Sequence, residues 1–193
     1  STAHGILVQN TRAHFVIREV RVHSGGGARD GIFLFNVANG RIENAVLSDN
    51  WHGVRVQDSD SVSVTGSNFS TNVFGLYLAQ ATNISMSGNT FTSDGVFLSG
   101  QDQAHFTTHS IASDNRVNGK ALRYHKNCSG LDLKGETLGQ LLVANCRGIR
   151  VEGLAVSDTD VAVLIAFADD VVLVGNHLTG NHHGVYMQSV ANA

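Results

Sequence analysis

A short motif, glycine followed by apolar–any–apolar, returns along most of this chain. It occurs as Gly5-Ile-Leu-Val8, Gly31-Ile-Phe-Leu34, Gly53-Val-Arg-Val56, Gly75-Leu-Tyr-Leu78, Gly95-Val-Phe-Leu98 and Gly184-Val-Tyr-Met187, with Ala162-Val-Leu-Ile165 as a variant. Most clear steps between copies are 20 to 26 residues, and 22 recurs. A second pattern lies between them: apolar, any, apolar, two residues, a small residue or Asn, any, apolar. Ile84 to Phe91, Val171 to Leu178, Val62 to Phe69, Ile149 to Val156 and Phe15 to Val22 follow it, Leu131 to Leu138 less closely. Residues 101–115 break the register.

Each segment alternates with period 2, so the units are strands. Three short strands per repeat cannot bury a face alone, but stacked repeats make a continuous core. An α-solenoid requires helical periodicity, and a propeller blade needs about 40 residues. The expected fold is therefore all-β: a right-handed single-stranded parallel β-helix of about 8–9 coils, with three short strands per ~22-residue coil. At the ~4.8 Å strand spacing that is a rod roughly 40 Å long. Residues 1–193 read as a single β-helix domain, in length a whole module or a piece of a longer helix. Asn89, Asn115 and Asn176 fall in equivalent places, as do Asn50, Asn72 and Asn181. Stacked asparagines can bond along the rod as a ladder, or simply tolerate left-handed corners.

Composition agrees. Only 15% of residues are charged, and there is no proline to interrupt coils that must both donate and accept. A net charge of −3 gives no basic footprint, so nucleic acid is not an expected partner. No apolar run approaches the ~20 residues of a transmembrane helix.

From Asn115 the chain reads Asn-Arg-Val-Asn-Gly-Lys-Ala-Leu-Arg-Tyr124, followed by Gly139-Gln-Leu-Leu-Val-Ala-Asn-Cys146, Ile149-Arg-Val-Glu-Gly-Leu154 and Asn181-His-His-Gly-Val-Tyr186. This order resembles the NosD-type β-helix repeat family, whose repeats are found in periplasmic copper-associated proteins, archaeal and bacterial surface proteins, and carbohydrate-binding or sugar-hydrolase modules. The resemblance implies a β-helix located extracellularly, at the cell surface or in the periplasm. It does not fix an activity. Copper ligation is not carried over, because two thiols without a methionine cluster make a poor copper site; no cofactor is expected.

The residue between the apolar pair of the glycine motif points outward: Leu7, Phe33, Arg55, Tyr77, Phe97, then Leu164 and Tyr186. An outward column this apolar suits a partner. Phe33, Arg55, Tyr77, Phe97 and Tyr186 are thus the candidate binding residues, for polysaccharide or for other copies of the chain in a self-associating scaffold or filament. Open coil ends invite the same self-pairing; cover by the chain's own loops is the structural alternative. His52, His182 and His183 gather near corner carboxylates as candidate metal ligands, although solvated corners explain them as simply. Cys128 and Cys146 occupy matching corners one coil apart, read first as buried free thiols, then as a disulfide, and last as a soft-metal pair. For an enzyme, Asp158 with Asp160, or Asp169 with Asp170, could supply a carboxyl pair, but the Asp-Pro-His-Asp and polygalacturonase-type sets are missing. The reading leans to a non-catalytic binding or structural β-helix, with a polysaccharide-active lyase, hydrolase or epimerase as the alternative. The three Asn-x-Ser sequons at Asn68, Asn83 and Asn127 need no explanation beyond chance. Ser24 to Asp30 and Gln101 to Ser110 are the long corners, where binding residues often sit.

Overall fold

The computed structural model describes residues 4–23 and 29–193. The corner predicted at Ser24 to Asp30 therefore lies outside the described residues, except for Arg29 and Asp30. The predicted parallel β-solenoid is present, with a 22-residue step between most neighbouring coils.

Five coils form a first stack. One face is built from Ile6–Thr11, Ile32–Val37, His52–Gln57, Phe74–Ala79 and Val96–Ser99, all parallel. The second runs from Phe15–Arg18 to Ser110–Ile111, and the third from Arg21–His23 to Arg116–Val117. Inward residues such as Leu34, Val56, Leu78, Phe69 and Phe91 are buried, and the last two rings stack 4.6 Å apart. The asparagine ladder forms in the first stack, whereas Asn176 and Asn181 bond backbone groups of the second stack and do not join it. Asn50 donates from Nδ2 to Asn72 Oδ1 at 2.9 Å, Asn72 to Asp94 Oδ2 at 2.6 Å, and Asn89 to Asn115 Oδ1 at 2.9 Å. Each also donates to a backbone carbonyl, although the Oδ1 of Asn50, first in its ladder, is buried without a partner.

The repeating glycine has a packing cause. A Cβ built on Gly31, Gly53 or Gly75 would lie 2.6 to 2.7 Å from the corner carbonyl oxygen of the next coil. Gly184 occupies the same motif place, yet its nearest neighbour would be Leu178 Cβ at 3.7 Å. Gly53→Ala is therefore expected to destabilise the fold by about 2–3 kcal/mol, as overpacking against backbone does. Gly184→Ala should change stability by less than about 0.5 kcal/mol. Equal shifts in the thermal midpoints of the two variants would contradict this account of the motif.

The stack is not one continuous rod. At Asn118-Gly119 both residues have positive φ, 50° and 76°, the conformation of a two-residue hairpin turn. Arg116–Val117 consequently pairs antiparallel with the start of Lys120–Lys134. That long strand begins a second parallel stack, continued by Leu138–Glu152, Val161–Val174 and His183–Ala191. The second stack has its own interior of Leu141, Val143, Ile149, Val151, Val163 and Ile165. Its alternate residues Leu142, Ala144, Leu164 and Ala166 are completely buried too, but belong to the core of the first stack. The second stack thus lies across the end of the first. Leu164 and Tyr186 do not extend the Leu7–Phe97 column as expected; with Tyr124 and Leu142 they form a separate column.

The irregular stretch is a wedge in this seam. Ala104–Thr107 forms one helical turn whose Phe106 is fully buried against Phe167 of the second stack, with ring centroids 5.5 Å apart. Tyr124 Oη donates to the Phe106 carbonyl. His109 is buried beneath this turn, where its Nε2 bonds the His105 carbonyl at 2.8 Å and its Nδ1 accepts from Ile84 N–H. Desolvation pushes its pKa down to about 4, so it is a neutral structural residue at ordinary pH.

Among the described residues no helix is long and apolar enough to cross a membrane.

Candidate functional site

The outward column is in register through the first stack. Leu7, Phe33, Arg55, Tyr77 and Phe97 follow one another on adjacent strands. Its surroundings are not the open stripe that the sequence suggests. Tyr77 and Phe97 stack on one another, with centroids 5.5 Å apart and planes 11° off parallel. Phe97 is only 5% exposed, because Tyr186 and His183 of the second stack pack on it at 5.0 and 5.6 Å. Phe33 lies under the Arg55 guanidinium, whose carbon sits 4.9 Å from the ring centre.

The column is therefore one wall of a shallow, open cleft of about 430 Å³. The first stack contributes Trp51, His52, Arg55, Phe74, Tyr77, Phe97 and Ser99; the second contributes His183 and Tyr186. Of the five predicted binding residues, Arg55, Tyr77, Phe97 and Tyr186 meet here, and Phe33 stands one coil away. Trp51, 42% exposed, presents the largest free aromatic surface at the rim. It carries no repeat signature, which is why the periodic reading passed over it.

Behind the cleft, Asp30 organises the polar side. It is buried and bonded to His52 Nδ1 at 2.5 Å, with His4 Nδ1 at 3.2 Å and an Arg55 nitrogen at 4.0 Å. His52 thus has its ring fixed between a carboxylate and the faces of Phe74 and Tyr77. His182 and His183 are adjacent, 4.7 Å between ring centres, but His52 faces Asp30 and not them. Among the described residues no group of three or more His, Cys, Asp or Glu is placed to hold a metal.

The four carboxylates singled out from sequence separate into two surroundings. Asp169 and Asp170 lie at the surface beside Arg147, at 3.5 and 3.1 Å, and both accept from Asn192 Nδ2. Asp158 is exposed, whereas Asp160 is 1% exposed in the seam and accepts Gly75 N–H at 2.8 Å. Gly95 N–H is its other backbone donor. Two further polar residues are buried in the seam: Gln140, which the repeat did not mark, and Asp94, at the repeating corner before a glycine. Gln140 accepts from Val96 N–H at 2.9 Å and donates to the carbonyls of Val96 and Val161. Asp94, fully buried, ends the asparagine ladder and faces Asp160. Desolvation, then the Asp160 charge, pushes the Asp94 carboxyl up to about 8, and desolvation alone pushes Asp160 up to about 7.

Cys128 and Cys146 form a disulfide, correcting the expectation of free thiols. Their strands are paired in register at these positions, which brings the Cα atoms to 4.5 Å, within bonding reach.

Residues 1–138 match the family described as the right-handed β-helix region. The chain belongs to the right-handed β-helix family. The match covers the whole first stack and the Lys120–Lys134 strand that opens the second. No curated protein sequence matches the chain significantly. Membership in the β-helix family states the coil architecture and leaves the ligand to the cleft's own chemistry.

Proposed function

We propose that this chain is an extracytoplasmic β-helix of the NosD-like kind that binds carbohydrate in the cleft between its two stacks, without catalysing a reaction on it. One observation carries the reading: a shallow, open site of about 430 Å³ pairs an exposed indole and an aromatic wall with Arg55, His183, Ser99 and Tyr186. Ligand sites typically enclose ~300–1,000 Å³ and combine apolar surface with a few polar groups. A sugar ring offers that complement, since its C–H face packs on aromatics and its hydroxyls need hydrogen-bond partners.

The disulfide supports a location outside the cytoplasm, at the cell surface, in the periplasm or in the medium, where such bonds persist. The carboxylates give catalysis little support. Asp169 and Asp170 are engaged with Arg147, and Asp160 is turned to backbone amides.

Calorimetric titration with a panel of neutral and acidic oligosaccharides tests the proposal. At least one should bind, and Trp51→Ala with Tyr186→Ala should weaken it about ten-fold or more, the equivalent of 1.4 kcal/mol of lost stacking. If no saccharide binds at millimolar concentration, or the variants bind unchanged, the proposal fails.

A further inference from the structure

The corner ladder of the first stack reads Asn50, Asn72, Asp94. An asparagine at the last place would accept from Asn72 just as Asn72 accepts from Asn50, with no ionisable group buried. The chain has an aspartate instead, at the end of the ladder that meets the second stack. Asp160 of the second stack, the chain neighbour of the Thr159 that bonds the Asp94 carbonyl, is also a buried carboxyl. Around this pair the two stacks are stitched directly. Asp160 accepts Gly75 N–H, and Thr159 Oγ1 donates to the Asp94 carbonyl at 3.0 Å. Within the second stack, the backbone N–H groups of His182 and His183 hold the Thr159 and Asp160 carbonyls in place.

We propose that Asp94 and Asp160 form a proton-dependent clasp, which keeps the second stack docked while protonated and loosens it when both carboxyls ionise. Burial in the seam penalises the ionised form of each carboxyl, and among the described residues neither has a cationic partner. From the first stack the groups facing Asp94 are the Asn72 amide and, more distantly, the like-charged Asp49. From the second stack Thr159 and Asp160 face it. Asp160 faces the Gly75 and Gly95 amides, and the small cavity on its outer side is lined by Asp158 and His182 with no lysine or arginine. The ordinary aspartate value is 3.8, and both groups sit above it in the docked state. Docking is therefore most favourable below about pH 4 and weakens as pH rises through 7 to 8. Because His183 and Tyr186 complete the aromatic cleft, loosening would also dismantle that site. This consequence rests on the carbohydrate-binding reading, whereas the clasp itself does not.

Amide hydrogen exchange on the whole chain, without any saccharide, tests the clasp. In the wild type, protection factors corrected for intrinsic rates should fall at Gly75, Gly95 and Val96 by about ten-fold per pH unit for each carboxyl that ionises. The fall should span roughly pH 5 to 8, within the range of the raised carboxyls, while Val54 and Val64 hold. In Asp94→Asn/Asp160→Asn the seam protection should stay flat with pH. Wild-type seam protection that does not respond to pH would overturn the clasp, even if the double variant fails to fold. So would an equal slope in the folded variant. Exchange that behaves as expected alongside absent saccharide binding would leave the clasp standing and refute only the cleft.

Discussion

Gln140→Leu is expected to lower the stability of the protein by about 3–9 kcal/mol, in spite of its similar volume. The side chain is completely buried at the end of the first stack. Val96–Ser99 is the last strand of its sheet, so Val96 has no neighbouring coil to pair with on that side. Gln140 replaces that neighbour: its amide accepts Val96 N–H and donates to the Val96 and Val161 carbonyls. Leucine would leave those three groups buried and unpaired, at about 1–3 kcal/mol each. Gln140→Glu should be worse still, because a carboxylate cannot donate to two carbonyls and brings a charge into an apolar seam. Urea titration of the three proteins measures the effect; a loss below about 1 kcal/mol for Gln140→Leu would mean that water or rearrangement replaces the amide.

The second large effect concerns the disulfide. Cys128→Ser/Cys146→Ser should cost about 3 kcal/mol, the loop-closure value for a link of 18 residues. In a chain of this length that is a fall of roughly 6–12 °C in the thermal midpoint. The bond ties the first coil of the second stack to the next, where the Lys120–Lys134 strand lies at the far side of the hairpin. Cys128 is half-buried and Cys146 buried, so a reductant should act through local opening of that coil. Melting the wild type with and without reductant, beside the double variant, checks both points. Coincident midpoints for all three would contradict the claim that the link restrains the fold.

The period-2 repeat carried the coil architecture because strand alternation and glycine spacing are local properties. Gly53 and its equivalents are fixed by the approach of the next coil's carbonyl, an event that repeats whenever a coil stacks on another. The break between stacks was also written locally. Asn118-Gly119, between Val117 and Lys120, is a strong short-range hairpin signal, but it lay inside a motif read as one more repeat element. What no local pattern could reveal is the partner across the seam. Leu142 and Leu164 look outward by alternation, and they do leave their own coil, yet they enter the other stack's core. Across the seam, Gln140 meets Val96, Asp160 meets Gly75 and the Asp94 carbonyl meets Thr159, at separations of 44, 85 and 65 residues. Likewise the aromatic column was legible, whereas its closure by His183 and Tyr186 and its rim at Trp51 arise only when the stacks dock.

The central claim is that the second stack closes on the first and makes the cleft. Ring-proton contacts between Phe97 and Tyr186, measured by nuclear Overhauser spectroscopy at pH 5, test it most directly. Their centroids lie 5.0 Å apart, so strong cross-peaks are expected, together with peaks between Phe106 and Phe167 on the other side of the seam. Observing Tyr77–Phe97 contacts within the first stack while both seam pairs are silent would contradict the account.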